Sequence, residues 1–72
     1  MKIFVSFGQE HIHKINGNVI DKDCIVVFDV SSYEEGREKA FEYFGDKFCT
    51  TYTQEQIDNR ISFFPRGFIE LV

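Results

Sequence analysis

Residues 2–7, Lys-Ile-Phe-Val-Ser-Phe, place Ile3, Val5 and Phe7 at alternate positions. That period of two predicts a first strand with one buried face. Gly8 ends it. Residues 11–15 predict a second strand, with His11, His13 and Ile15 on one side and Ile12 and Lys14 on the other. Asn16-Gly17 then predicts a hairpin, because a type I′ turn needs positive φ at both central residues, and Val19-Ile20 pairs back. Asp21-Lys22-Asp23 is a polar break. Residues 24–30, Cys-Ile-Val-Val-Phe-Asp-Val, form the most apolar run of the chain, β-branched and suited to a central strand.

One helix is predicted over about residues 32–44. Ser31 and Ser32 each precede a glutamate by three positions, Glu34 and Glu35, which is the spacing of a capping box. Tyr33, Ala40, Phe41 and Phe44 recur at helical spacing as an apolar stripe, with Glu34, Glu35, Glu38, Lys39 and Glu42 mostly outside it. Gly36 costs a helix about 1 kcal/mol relative to alanine, which a close approach to the sheet would explain. Gly45 suits the C-terminal cap. Residues 48–53 predict a further strand, and residues 54–60 a loop or one short helical turn. Two extended apolar runs follow, 61–64 and 68–72, separated by Pro65-Arg66-Gly67 in a type I turn. The expected fold class is α+β: a single domain over residues 1–72, with an antiparallel sheet of about five strands packed on one helix. The second sheet face is expected to be partly open.

Composition narrows this picture. Nine Phe and three Tyr supply a small core with large side chains, since each buries about 150–250 Å². They also exceed what one small core holds. Phe63 and Phe64, adjacent on a strand, would face opposite sides, so exposed aromatics and a homodimer are expected. A net charge of −4 argues against a direct grip on nucleic acid, which needs clustered Lys and Arg. No run is long enough for a transmembrane helix, no apolar leader follows Met1, and only two cysteines occur, Cys24 and Cys49. A cytoplasmic protein with two reduced thiols, both small core residues, is the reading.

The candidate chemistry is sparse. Both histidines lie in Gly8-Gln9-Glu10-His11-Ile12-His13. Imidazoles at i and i+2 of a strand share a face and can bind a ligand, a partner or a metal. A metal needs further ligands; Asp21, Asp23, Cys24 and Cys49 have the right type but no recognised spacing. No metal or cofactor is therefore expected. Catalysis would need Cys24 or Cys49 paired with a histidine, and no local signature supports it. Arg66, at a turn tip, offers a planar fork for phosphate or carboxylate.

Taken together, Gly8-Gln9-x-His11-x-His13, Asn16-Gly17, Asp21-Lys22-Asp23, Arg37-Glu38-x-Ala40-Phe41, Phe44-Gly45 and Phe64-Pro65-Arg66-Gly67-x-Ile69 form a pattern that extends over nearly the whole chain. It resembles a group of small proteins encoded by bacteriophages and prophages. The resemblance implies a phage or mobile-element origin and a site of action in the bacterial host cytoplasm. Short acidic sheet-and-helix phage proteins are similar in style to anti-CRISPR proteins and other counter-defence inhibitors, an analogy of form that does not itself carry function. The expected role is a non-enzymatic binding protein with either of two partners. In the first, Glu34, Glu35, Glu38 and Glu42 meet a basic surface of a host defence protein or complex. In the second, the protein sequesters a small signalling nucleotide, with His11, His13 and Gln9 at the ligand, Arg66 on phosphate and Tyr52 stacking. A small metal-dependent or cysteine enzyme and a structural phage component are the remaining classes.

Overall fold

The computed structural model describes residues 1–70. The elements are β1 (Lys2–Ser6), β2 (His13–Ile15), β3 (Asn18–Ile20), β4 (Cys24–Asp29), α1 (Tyr33–Phe44), β5 (Thr50–Tyr52), α2 (Gln54–Asp58), a 3-10 turn (Ile61–Phe63) and β6 (Gly67–Glu70). The α+β class holds. The main sheet has the order β5-β1-β4-β6, and β2 and β3 form a separate two-stranded sheet.

The sheet is mixed, which corrects the antiparallel expectation. β1 runs antiparallel to β4 and β5, whereas β6 runs parallel to β4, with Cys24 opposite Gly67 and Val27 opposite Glu70. The reason lies between residues 54 and 67. Ile61–Phe63 forms a 3-10 turn, not a strand, closed by bonds from Phe63 N–H to the Arg60 carbonyl and Phe64 N–H to the Ile61 carbonyl. The chain therefore does not double back at Pro65. It enters β6 through Gly67 at φ 77°, and the Arg66 N–H meets the Asp23 carbonyl at 2.9 Å. The last two positions of the expected 68–72 run lie outside the described residues.

Apolar clusters lie on both sheet faces. Ile3, Val5, Phe7, Val26 and Phe28 pack with Ala40 and Phe44 of α1. Phe4, Ile25 and Val27 form a second cluster with Ile57 of α2, flanked by Tyr52 and Phe64. β4 is thus apolar at consecutive positions because it is buried on both sides. α2 covers part of the face expected to be partly open, and Phe68 of β6, beside Phe4 on that face, stays 43% exposed; α2 starts with a capping box, in which the Thr53 hydroxyl accepts from Gln56 N–H while the Gln56 side chain accepts from Thr53 N–H.

The helix begins at its Ser32 cap, with only the hydroxyl arm of the expected capping box formed among the described residues. The Ser32 hydroxyl accepts from Glu35 N–H at 3.2 Å, and Gly45 closes the end at φ 62°. Its buried face matches the predicted stripe at Tyr33, Ala40 and Phe44 and departs from it at Phe41. Gly36, Ala40 and Phe44 are buried, whereas Phe41 is half exposed and leans on Phe48. A Cβ at Gly36 would stand 2.4–2.8 Å from three carbon atoms of Ile3, so the glycine is what lets α1 lie on β1. Asn16 and Gly17 both take positive φ, 53° and 81°, as the hairpin requires.

Candidate functional site

β2 starts only at His13, so His11 lies before the strand and not within it. The two imidazoles nonetheless border one open cleft, together with Glu10, Ile12 and Lys47. Their surroundings differ. The His13 ring lies against Phe7 and Phe44, with centroids at 5.6 and 4.9 Å, and its Nε2 is 2.6 Å from the Lys47 carbonyl. A carbonyl only accepts, so this nitrogen carries the proton and donates. His13 therefore ties the β2–β3 hairpin to the segment leaving α1. The His11 ring is half buried at the cleft edge.

Arg66 lies elsewhere. Its guanidinium is 3.3 Å from the Asp21 carboxylate, just before β4. Asp21 is held in a turn by the Asp23 N–H at 3.0 Å. That backbone bond, aided by the Arg66 charge, holds the Asp21 carboxyl below its ordinary range. Next to it, burial pushes the Cys24 thiol up, and the Asp21 N–H points at its sulfur, 3.3 Å away. Arg66 borders none of the clefts described here.

Gln9 and Tyr52 share an open cleft of about 380 Å³ formed by the turn after β1, the β3–β4 turn, β5 and the 3-10 turn, with Lys22, Cys49, Phe63 and Phe64 completing its walls. The Arg60 guanidinium sits 5.3 Å over the Tyr52 ring. Cys49 is exposed, which corrects its reading as a core residue; Cys24 is buried, and neither is bridged. The five residues expected to form one ligand site are therefore divided: His11 with His13, Gln9 with Tyr52, and Arg66 alone. Lys22 and Cys49 were not legible as cleft residues, because long-range packing brings them there. Phe63 carried a signal, since two adjacent phenylalanines leave one ring outside the core.

The outer side of α1 is acidic. Glu34, Glu38 and Glu42 are exposed, whereas Glu35 is half buried. At 3.6 residues per turn, Phe41, Glu34, Glu38 and Glu42 fall within an arc of about 100°, opposite Gly36, Ala40 and Phe44. Among the described residues none of the four carboxylates forms an ion pair. Of the two cations on α1, Arg37 and Lys39, Arg37 is turned to the sheet edge: it donates to the Thr51 hydroxyl at 3.2 Å, where Tyr33 also bonds at 2.7 Å, and it lies 5.8 Å over the Phe41 ring. This Tyr33–Arg37–Thr51 network has no counterpart in the sequence pattern.

Among the described residues no three His, Cys, Asp or Glu side chains gather around a metal position, and no helix is long and apolar enough to cross a membrane. Compared with protein-family models, curated proteins and solved structures, the chain matches none of them.

Proposed function

We propose that this protein is a non-enzymatic, phage-type inhibitor that docks the outer face of α1 on a basic surface of a host defence protein or complex. The observation that carries the reading is the Glu34–Glu38–Glu42 row, unpaired within the described chain and bordered by the half-exposed Phe41. Like charges at i and i+4 weaken a helix by about 0.2–0.5 kcal/mol per pair. A purely solvated face could interleave lysines at no such cost. An acidic row with an aromatic at its border instead has the composition of a patch that steers toward, and then anchors on, a positive partner.

The resemblance to phage and prophage proteins supplies the class of partner, and the host cytoplasm follows from it. Exposed Phe68 leaves room for a homodimer on a different surface.

Quantitative co-purification from bacterial host cells tests the reading. The wild-type protein is expected to retain a specific host complex. The double variant Glu34→Lys/Glu38→Lys, which alters only exposed side chains, is expected to lose most of it. Equal recovery by both proteins would mean the acidic face is only solvated.

A further inference from the structure

The Gln9–Tyr52 cleft combines three features. First, its walls are aromatic: Tyr52 and Phe64 are half buried, and Phe63 leaves 70% of its surface exposed although backbone bonds fix its turn. Burying that ring against a flat ligand recovers apolar area that the fold leaves wet. Second, Gln9 presents an exposed amide, a donor beside an acceptor, which is the pairing that reads the edge of a nucleobase. Third, the cleft contains no carboxylate in a protein of net charge −4, while the cleft beside His11 and His13 includes Glu10 and the one at the end of β1 includes Asp29 and Glu70. Its one lining charge is the Lys22 ammonium, 3.2 Å from the Asp23 carboxylate in an exposed pair of little strength, open to competition from a phosphate. The Arg60 guanidinium over Tyr52 adds a second cation beside the wall. The volume, about 380 Å³, is that of a small-ligand site.

We propose that this cleft binds a planar aromatic anion of the mononucleotide type, with its base against Phe63 and Tyr52, its edge at the Gln9 amide and its phosphate at Lys22. The site stands apart from the α1 face and does not rest on the docking reading. An apolar peptide would leave Gln9 and Lys22 without partners, and a polyanion would meet a protein of net charge −4.

The test is an NMR titration of the intact protein with adenosine 5′-monophosphate and guanosine 5′-monophosphate, with adenosine as the uncharged control. At least one nucleotide is expected to shift the amide signals of Gln9, Lys22, Cys49, Tyr52, Phe63 and Phe64 together. Phe63→Ala, at a site outside the core, is expected to keep a dispersed spectrum and weaken binding about tenfold, the usual effect of losing one stacking ring. Adenosine is expected to bind several-fold more weakly, and the bound nucleotide to slow alkylation of Cys49 by iodoacetamide. Glu38→Lys is expected to leave nucleotide binding unchanged, which separates this site's failure from that of the α1 face. The proposal is overturned if neither nucleotide shifts these signals at millimolar concentration, if the shifts centre on His11, His13 and Lys47, or if Phe63→Ala binds as tightly as wild type. Unaltered Cys49 alkylation at saturating nucleotide would overturn it too.

Discussion

Neighbouring side chains of one type do different work in this molecule. His13 packs against the adjoining rings of Phe7 and Phe44 and donates to the Lys47 carbonyl, whereas His11 borders the same cleft without such a bond among the described residues. His13→Ala should therefore cost about 2 kcal/mol, combining a lost hydrogen bond with lost packing, and His11→Ala less than about 0.5 kcal/mol. Urea denaturation of the two variants measures both. The cysteines separate as sharply. Cys49 is exposed and Cys24 buried. Iodoacetamide should add one label to the native protein and two to the unfolded one, read by mass. The folded Cys24 thiol is held above its ordinary value of 9.0, so it contributes stability that is intact below pH 9 and falls as pH rises past that value. Asp21 has the opposite sign. Its folded carboxyl is held below 3.8, so its contribution is intact above that pH and lost as acid protonates the folded group. Asp21→Asn should flatten the acid limb of the stability curve, measured by thermal unfolding between pH 2 and 6.

The elements show which sequence signals survive folding. Local signals did so where the chemistry is local: Asn16-Gly17 takes the two positive φ angles of its turn, and Ser32 caps α1. Gly36 was legible as a close approach, and Ile3 is what it approaches. Gly36→Ala should therefore destabilise by about 1–3 kcal/mol through overpacking, although alanine favours a helix by about 1 kcal/mol. Ser32→Ala should cost about 1 kcal/mol. Calorimetry of both variants provides the check. The phase of the α1 stripe was less legible, because Phe41 is as apolar as Phe44 while only Phe44 faces the sheet. α2 carried an unread signal: Thr53-Gln54-Glu55-Gln56 has capping-box spacing, and Ile57 after it is buried. The direction of β6 was not legible at all. A four-residue apolar run at 61–64 fits a strand or a 3-10 turn equally, and the choice between them decides whether the chain turns back or crosses over.

The molecule as a unit presents three surfaces of different character: an acidic helix face, a cleft with two imidazoles, and an aromatic cleft without carboxylates. The sequence named residues from all three but joined the clefts into one site, because spacing along the chain does not reveal that Arg66 is drawn to Asp21. Exposed Phe41, Phe63 and Phe68 make the assembly state informative. Sedimentation equilibrium should return a homodimer whose dissociation is promoted by Phe68→Ala and not by Glu38→Lys, if the aromatic surface and the acidic face serve separate contacts. The role of the acidic face is tested most directly by the plating efficiency of phage on bacterial strains that each carry one defence system and express this protein. Wild type should restore plaques on at least one defended strain, and Glu34→Lys/Glu38→Lys, folded to the same stability, should fail to do so. Equal restoration by both proteins, or none by wild type on any strain, would contradict an inhibitor that works through the outer face of α1.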